Sequence, residues 1–300
     1  MRVRVRVPAS SANLGPGFDA LGLALALYND VTLEESDRVS VTVTGEGVAR
    51  LDRGADNVVA RGVLMAVEAA GRSLRGATIH CVNRIPLGRG LGSSAAAWVG
   101  GLMGANALLG GPLDRDTLLS LAARAEGHPD NVAAAMLGGL TVSCSTEGRI
   151  EAVALPVPPD IRWVVLVPEA LSSTREARAV LPDSVPRADA VFNVQRVSLL
   201  LAALAMGRDD LLELAMHDRL HQPYRLRLFP WMKKVQAAAR QAGALGCVLS
   251  GAGSAMLAAA RGPTEPVERA MEAALRAAGG TGKAMSLGVD TAGASWQSLA

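Results

Sequence analysis

The chain has 300 residues, 50% of them hydrophobic and 19% charged, and 30 basic against 28 acidic side chains leave a formal net charge of +2. That length can bury one large core or two medium ones, and the near-balance of charge argues against duplex DNA or an anionic membrane as partner. Aromatic residues at 3% are too sparse for a base-stacking surface.

Residues 2–7 alternate charged with apolar side chains, the period of a strand with one wet face, and Pro8 is expected to end it. The alternation lacks the apolar block of a signal peptide. Ala9 to Asp19 is small, polar and glycine-rich, as a loop would be. Leu21 to Tyr28 and Val39 to Thr44 read as strands. Asp56 caps a predicted helix that Gly71 stops. Ala77 to Ile85 is a strand closed by Pro86. A glycine-rich loop follows, then an alanine-rich helix from Ser93. The apolar run Ala95 to Gly111 has about 17 residues, short of the ~20 of a membrane span, so it is expected to be a buried helix. Helices follow over 114–125 and from Pro129 to Met136, then a strand over 140–145.

Three prolines within Leu155 to Asp160 form a stiff connector. The expected boundary lies there, dividing the chain into units 1–155 and 160–300. Beyond it come a buried strand at 162–167 and helices near 174–181, 187–206, 209–219 and 230–242. Strands at 245–250 and 255–260 flank Gly251-Ala-Gly253. A helix over 266–278 and a strand near 284–289 complete a mixed α+β order. Cys81, Cys144 and Cys247 are far apart and form no Cys-x-x-Cys, which points to a reducing cytoplasm.

The strongest chemical signal is Pro86-Leu-Gly-Arg-Gly-Leu-Gly-Ser-Ser-Ala-Ala-Ala97. A strand leads in and a helix leads out. Gly88, Gly90 and Gly92 allow positive φ and close backbone approach, and the helix start offers free N–H groups and its positive dipole end. This is an anion site suited to a nucleotide phosphate, or a plain turn before a core helix. A Rossmann fingerprint fits poorly, because the motif is not in the first βα unit and no acid ends a strand some 20 residues on. A Walker A loop is excluded, since Lys233, Lys234 and Lys283 are the only lysines and none stands in Gly-Lys-Ser/Thr.

Other residues carry two readings each. Asn13 and Asp19 could bind a hydroxyl, carboxylate or ammonium, or serve local turn chemistry. Asp130 and Asn131 stand in the first turn after Pro129, as caps or as substrate ligands. Glu126 ends a helix, where its charge opposes the dipole and invites a positive partner. His128 is a pocket wall or a structural hydrogen bonder. Arg178 and Arg225 suit a bidentate carboxylate fork, or are surface charges. His217 and His221 are spaced i, i+4, as on one helix, but Asp replaces Glu in the metalloprotease pattern and no third ligand is apparent.

The string Gly-Leu-Gly-Ser-Ser-Ala-Ala with its lead-in proline resembles the second motif of the GHMP kinase superfamily. Three further segments, Ser11-Ala-Asn-Leu-Gly-Pro-Gly-Phe-Asp19, Glu126-Gly-His-Pro-Asp-Asn-Val132 and His221-Gln-Pro-Tyr-Arg225, resemble its homoserine kinase branch. Leu249-Ser-Gly-Ala-Gly-Ser-Ala255 resembles the third superfamily motif, with Ser254 where many members have proline. The resemblance implies an N-terminal domain with a left-handed β-α-β crossover and a ferredoxin-like C-terminal domain. It implies an ATP-dependent kinase of the L-homoserine hydroxyl on the route to threonine. ATP would lie on Pro86, Leu87, Gly88, Arg89, Gly90, Leu91, Gly92, Ser93, Ser94, Ala95 and Ala96. Ser94 and Glu126 would hold Mg²⁺. Asn131 would orient the substrate hydroxyl, with Asp130 binding beside it rather than abstracting its proton. Asn13, Asp19, His128, Thr174, Arg178, Arg225 and Gly251 would line the substrate pocket. A small-molecule substrate, no nucleic acid, no membrane and room for a homodimer complete the expectation. A mevalonate or diphosphocytidyl-methylerythritol kinase, whose substrate lacks the amino-acid head, and a dead nucleotide-binding regulator are the competing readings.

Overall fold

A computed structural model describes residues 1–299. Two sheets organise it. The first has the order β11-β1-β2-β4-β3, with β5 pairing β2 and β6 pairing β5. Its strands are β1 (Arg2–Ala12), β2 (Leu21–Glu35), β3 (Ser40–Gly45), β4 (Ala77–Asn83), β5 (Leu140–Thr146), β6 (Arg149–Leu155) and β11 (Ser295–Leu299). The second has the order β10-β7-β9-β8, from β7 (Ile161–Pro168), β8 (Gly246–Leu249), β9 (Met256–Arg261) and β10 (Gly282–Leu287).

Helices α1 (Val58–Ala69), α2 (Ser93–Leu108), α3 (Arg115–Glu126) and α4 (Asp130–Leu137) go with the first sheet. In the second half lie α5 (Thr174–Ala179), α6 (Arg187–Met206), α7 (Leu212–Ala215), α8 (Gln222–Arg225), α9 (Met232–Gln241) and α10 (Glu265–Ala277). β3 and β4 are parallel neighbours joined through α1, which is a β-α-β crossover. Every pairing in the second sheet is antiparallel, and its β-α-β-β-α-β frame is β7, α9, β8, β9, α10, β10. That is the ferredoxin-like arrangement.

The second sheet is buried on both faces. Along β7, Trp163 and Val165 point into a core shared with the first sheet, while Val164 and Leu166 pack with Val235 of α9 and Met271 of α10. The alternation is the period-2 geometry of a strand between two apolar layers, which is why β7 reads as a continuous apolar run. α2 is equally enclosed: Val99, Leu102 and Ala105 are fully buried, and Gly100 and Gly104 let Val31 and Leu33 of β2 approach. The Ala95–Gly111 run is thus the buried helix expected as far as Leu108, with Gly110 and Gly111 exposed beyond its end.

Several elements differ from expectation. β1 does not stop at Pro8 but continues to Ala12, with a register shift between Pro8 and Ala9. A bulge is where a strand tolerates a residue without an N–H. The 209–219 helix is broken into a 3₁₀ turn at Asp209–Leu211 and the four residues of α7, so His217 and His221 do not share a helix. Asn57 rather than Asp56 caps α1, its Oδ1 accepting from the Val59 N–H at 2.9 Å. β6 was not anticipated, and neither was β11, which runs antiparallel to β1 and returns the end of the chain to the first sheet. Both are short and largely exposed, so no apolar run marks them. Among the described residues one helix, α6, is long and apolar enough to cross a membrane, and 22% of that window is buried.

Candidate functional site

The loop between β4 and α2 bends because Gly88, Gly90 and Gly92 take φ of +62°, +76° and +70°. A side chain at Gly92 would drive into Ser10 Oγ, and one at Gly90 into the Ser250 carbonyl. Gly92 occupies the N-cap of α2 without a side-chain cap, so the first N–H groups of the helix face open space.

Main-chain and hydroxyl contacts from both sheets hold this loop. Ser10 N donates to the Leu91 carbonyl at 3.1 Å, Ser172 N to Gly88 at 2.8 Å, and Ala255 N to Arg89 at 2.9 Å. Ser250 Oγ reaches the Gly90 carbonyl at 2.6 Å and Ser11 Oγ at 2.8 Å. The Arg89 guanidinium is spent on the carbonyls of Pro168, Leu87 and Glu169 at 2.6–2.8 Å. It staples the loop to the end of β7 and is not aimed at a ligand.

A cleft of about 100 Å³ lies over the loop. Of the residues expected there, Leu87, Ala95 and Ala96 do not line it and every other one does. Leu87 and Ala96 instead wall a neighbouring cavity of about 300 Å³, together with Leu51, Asn57, Val59 and Asn83. Ala95 is fully buried in the core.

At the helix start Ser94 Oγ donates to Glu126 Oε2 at 2.7 Å. Burial pushes the Glu126 carboxyl above its usual range, against the Ser94 hydrogen bond that lowers it. Glu126 makes no ion pair among the described residues. Among those residues no group of three or more His, Cys, Asp or Glu is set to hold a metal. Two oxygens beside a phosphate-sized space fit a cation that takes its remaining ligands from phosphate and water, as Mg²⁺ does.

α4 opens on Asp130 and Asn131, both buried. Asp130 Oδ1 accepts from the Asn131 N–H at 2.6 Å and pairs with His128 Nδ1 at 2.7 Å. Burial works to lower the His128 pKa, but the hydrogen bond and charge of Asp130 outweigh it and the net shift is upward. Ser10 Oγ donates to Asn131 Oδ1 at 3.0 Å and the amide nitrogen donates to Asp130 Oδ1 at 3.5 Å, which leaves one amide N–H for a group in the cleft.

The opposite end of the cleft is built from the first loop and the second half. Asn13 Oδ1 accepts from Asp19 N at 3.0 Å, and its Nδ2 donates to the Gly251 carbonyl at 3.1 Å. Arg178 grips Asp19 with both terminal nitrogens, at 3.0 and 2.6 Å, and both side chains are about one-third exposed, at 38% and 35%. Thr174 opens α5, whose N-cap Ser173 accepts from Glu176 N. Arg225 is buried, donating to the carbonyls of Ala177 and Gly251 at 3.1 and 2.9 Å. Burial and then the Arg178 charge push its pKa down to about 10. Phe18 lies 5.5 and 5.6 Å beneath the Arg178 and Arg225 guanidiniums.

Sequence reasoning missed Ser10, Phe18, Ser172 and Ser250. Ser10 lies inside β1 beside Ser11 and Ser250 lies in the Leu249–Ala255 motif, but a hydroxyl that bonds a distant main-chain or amide oxygen has no local mark. Phe18 could have been found, since it is one of three phenylalanines in the chain and stands next to Asp19.

The cleft can take an anion at the glycine loop, a hydroxyl at Asn131 and a small zwitterion between Asp19 and the two arginines. Comparison with known proteins agrees with that chemistry. Residues 57–139 match the family model described as GHMP kinases N terminal domain, and residues 200–286 the model GHMP kinases C terminal. The homoserine kinase of Moorella thermoacetica is 49% identical over 90% of this chain and 91% of its own length. That of Carboxydothermus hydrogenoformans is 46% identical over 90% and 88%. A crystal structure of homoserine kinase from Cytophaga hutchinsonii superposes with a TM-score of 0.89 at 32% identity, covering 99% of this chain and 97% of the other. With a glycine cradle, both halves of the fold and relatives matched over almost their whole length, the chain belongs to the homoserine kinases of the GHMP kinase superfamily.

Proposed function

We propose that this chain transfers the γ-phosphoryl group of ATP to the side-chain hydroxyl of L-homoserine, giving O-phospho-L-homoserine and ADP and supplying threonine biosynthesis. The observation that carries the reading is one cleft in which a lysine-free phosphate cradle faces Asp19, Arg178 and Arg225. A mevalonate-type substrate has no ammonium–carboxylate pair to use those three charges, and a dead regulator would have no use for Asn131 and Glu126 beside the loop.

Phosphoryl transfer asks for alignment and charge neutralisation more than for covalent help. The N–H groups opening α2 hold the triphosphate, and the glycines let it approach the main chain. The neighbouring cavity, with apolar Leu51, Val59 and Ala96 and the amides of Asn57 and Asn83, suits the nucleoside. Mg²⁺, held by Ser94 and Glu126, would offset charge on the phosphates. Asn131 Nδ2 donates to the substrate hydroxyl oxygen and aims it at the phosphorus. Asp130 holds Asn131 and His128 through Oδ1, which meets the Asn131 N–H, the Asn131 amide nitrogen and His128 Nδ1, and its part is binding rather than proton abstraction. The hydroxyl proton leaves to a phosphate oxygen late in a loose transition state.

Asp19 takes the ammonium and Arg178 with Arg225 the carboxylate, with Asn13, Thr174, His128 and Gly251 as walls. A zwitterion exchanges its two charges for the Asp19–Arg178 pair, so neither charge is stranded. We further propose two units, 1–155 and 160–300, the second returning β11 to the sheet of the first. The three free cysteines support a cytoplasmic setting, and the exposed Val191, Val194 and Met206 of α6 support a homodimer.

A coupled ADP-release assay with L-homoserine, mevalonate and 4-hydroxybutyrate tests the function. Turnover with homoserine far above the other two is expected. Turnover with mevalonate but not homoserine, or none with any alcohol, overturns it.

A further inference from the structure

His221 is fully buried, and no step of the reaction above uses it. Its surroundings define its protonation state. Nδ1 lies 3.1 Å from Arg225 Nη1, and Nε2 lies 2.8 Å from the Gly15 carbonyl. A guanidinium nitrogen can only donate and a carbonyl can only accept. Nδ1 must therefore be the bare nitrogen, and the proton sits on Nε2. Asp218 Oδ2 is 3.5 Å from Nε2, but it already accepts the N–H groups of His221 and Gln222 at 3.1 and 2.7 Å, and the Gly15 carbonyl is nearer. Burial, first, and the Arg225 charge both hold the imidazole below its usual pKa, while Asp218 and the Gly15 carbonyl pull the other way.

This ring ties three parts of the substrate pocket together. Gly15 belongs to the loop that carries Asn13 and Asp19. Phe18 of the same loop stacks on the His221 ring, with centroids 5.2 Å apart and planes at 22°. Arg225 opens its fork from α8, and its Nη1 is fixed jointly by His221 and the Gly251 carbonyl. Nη2 donates to no protein group among the described residues, so it is the edge left for a ligand. A guanidinium is planar, so anchoring Nε and Nη1 sets the direction of Nη2.

We propose that neutral, Nε2-protonated His221 is a positioning residue that aims Arg225 at the substrate carboxylate and locks the Asn13–Asp19 loop against it. This rests on the homoserine kinase reading, because it assigns Arg225 to the carboxylate. Replacing the ring should therefore weaken homoserine without touching the nucleotide, whose cradle is held by Ser10, Ser172, Ser250 and Ala255 instead.

The test is a pair of variants and one spectrum of the full-length protein. His221→Phe keeps the stack on Phe18 and deletes both hydrogen bonds. It should raise the KM for homoserine ~10-fold or more, with the ATP KM and kcat changed less than ~3-fold. His221→Gln, whose amide offers an NH₂ donor group and a carbonyl acceptor, should recover most of that loss. A homoserine KM within twofold of wild type in His221→Phe overturns the proposal. So does an equal rise in the ATP KM, or a Gln variant no better than Phe. Long-range ¹H–¹⁵N spectra of the histidines read the tautomer without substrate. A His221 that stays Nε2-protonated from pH 6 to 9 is expected, and an Nδ1-protonated or cationic ring overturns the proposal even if His221→Phe does not fold. Absence of homoserine turnover by the wild type would instead remove the functional reading and leave the tautomer result standing.

Discussion

The glycine loop proposed to hold phosphate and the pocket proposed to hold the amino acid share one cleft but differ in what holds them. The loop is fixed by main-chain and hydroxyl contacts that start in both sheets and are complete without ligand. Its only charged side chain, Arg89, is consumed by carbonyls. The amino-acid pocket is made of charges that satisfy one another until a ligand arrives, above all Asp19 and Arg178. A preformed cradle keeps its shape for the nucleotide proposed to bind it. A self-paired acid and base must be exchanged, and only a ligand with both charges can exchange them without loss. Under the proposed function, rigidity serves the nucleotide and charge exchange serves the amino acid.

The largest effect should come from breaking the cradle. Gly92→Val places a branched side chain against Ser10 Oγ and close to Asn131 Oδ1 at a φ that favours glycine. Binding of a fluorescent ATP analogue should weaken ~100-fold or more, and an affinity within threefold of wild type would contradict the cradle. Arg225→Met comes next. It removes the charge-assisted fork and takes a donor from the Ala177 and Gly251 carbonyls, the second of which keeps Asn13 Nδ2, so the homoserine KM should rise ~30–100-fold while nucleotide binding holds. A parallel loss of nucleotide binding would show that the two regions are not independent.

Asp19→Asn is smaller and sharper. It should raise the homoserine KM ~10-fold and shrink the preference for homoserine over 4-hydroxybutyrate, which has no ammonium group. An unchanged preference would relocate the ammonium. The smallest effect concerns His128, whose net pKa is raised beside Asp130. A raised folded-state pKa contributes stability that is complete below the unfolded value of ~6.5 and is lost as pH climbs through the folded one. The fall in melting temperature for His128→Asn should thus be larger at pH 6 than at pH 9. The reverse order would mean that the imidazole is neutral against Asp130.

The sequence carries the loop openly, since glycines at 88, 90 and 92 between a strand and an alanine-rich helix permit few other structures. The start of α4 beside Pro129 is equally legible, because proline suits a helix N-terminus. What could not be read depends on distant chain. β11 is exposed along most of its length and exists because β1 offers an edge. Pro8 looked like a terminator, and only the register of β2 shows the bulge that accommodates it. The 209–219 helix had suitable spacing, yet Asp218 turns the chain by accepting from Leu220, His221 and Gln222. The second cavity gathers Leu51, Asn57, Asn83 and Ala96 from four separate segments, and no local pattern could announce it. Arg89 was assigned by its place in the motif, whereas its guanidinium is spent on three carbonyls, two of them some 80 residues away.

A crystal structure with a non-hydrolysable ATP analogue and L-homoserine bound together tests the account most directly. It should show the phosphates over Gly88 to Ser94, the homoserine hydroxyl at Asn131, and the Asp19–Arg178 pair opened with the ammonium on one and the carboxylate on the other. Phosphates seated away from the α2 N-terminus, or a bound amino acid with that pair still closed, would contradict it.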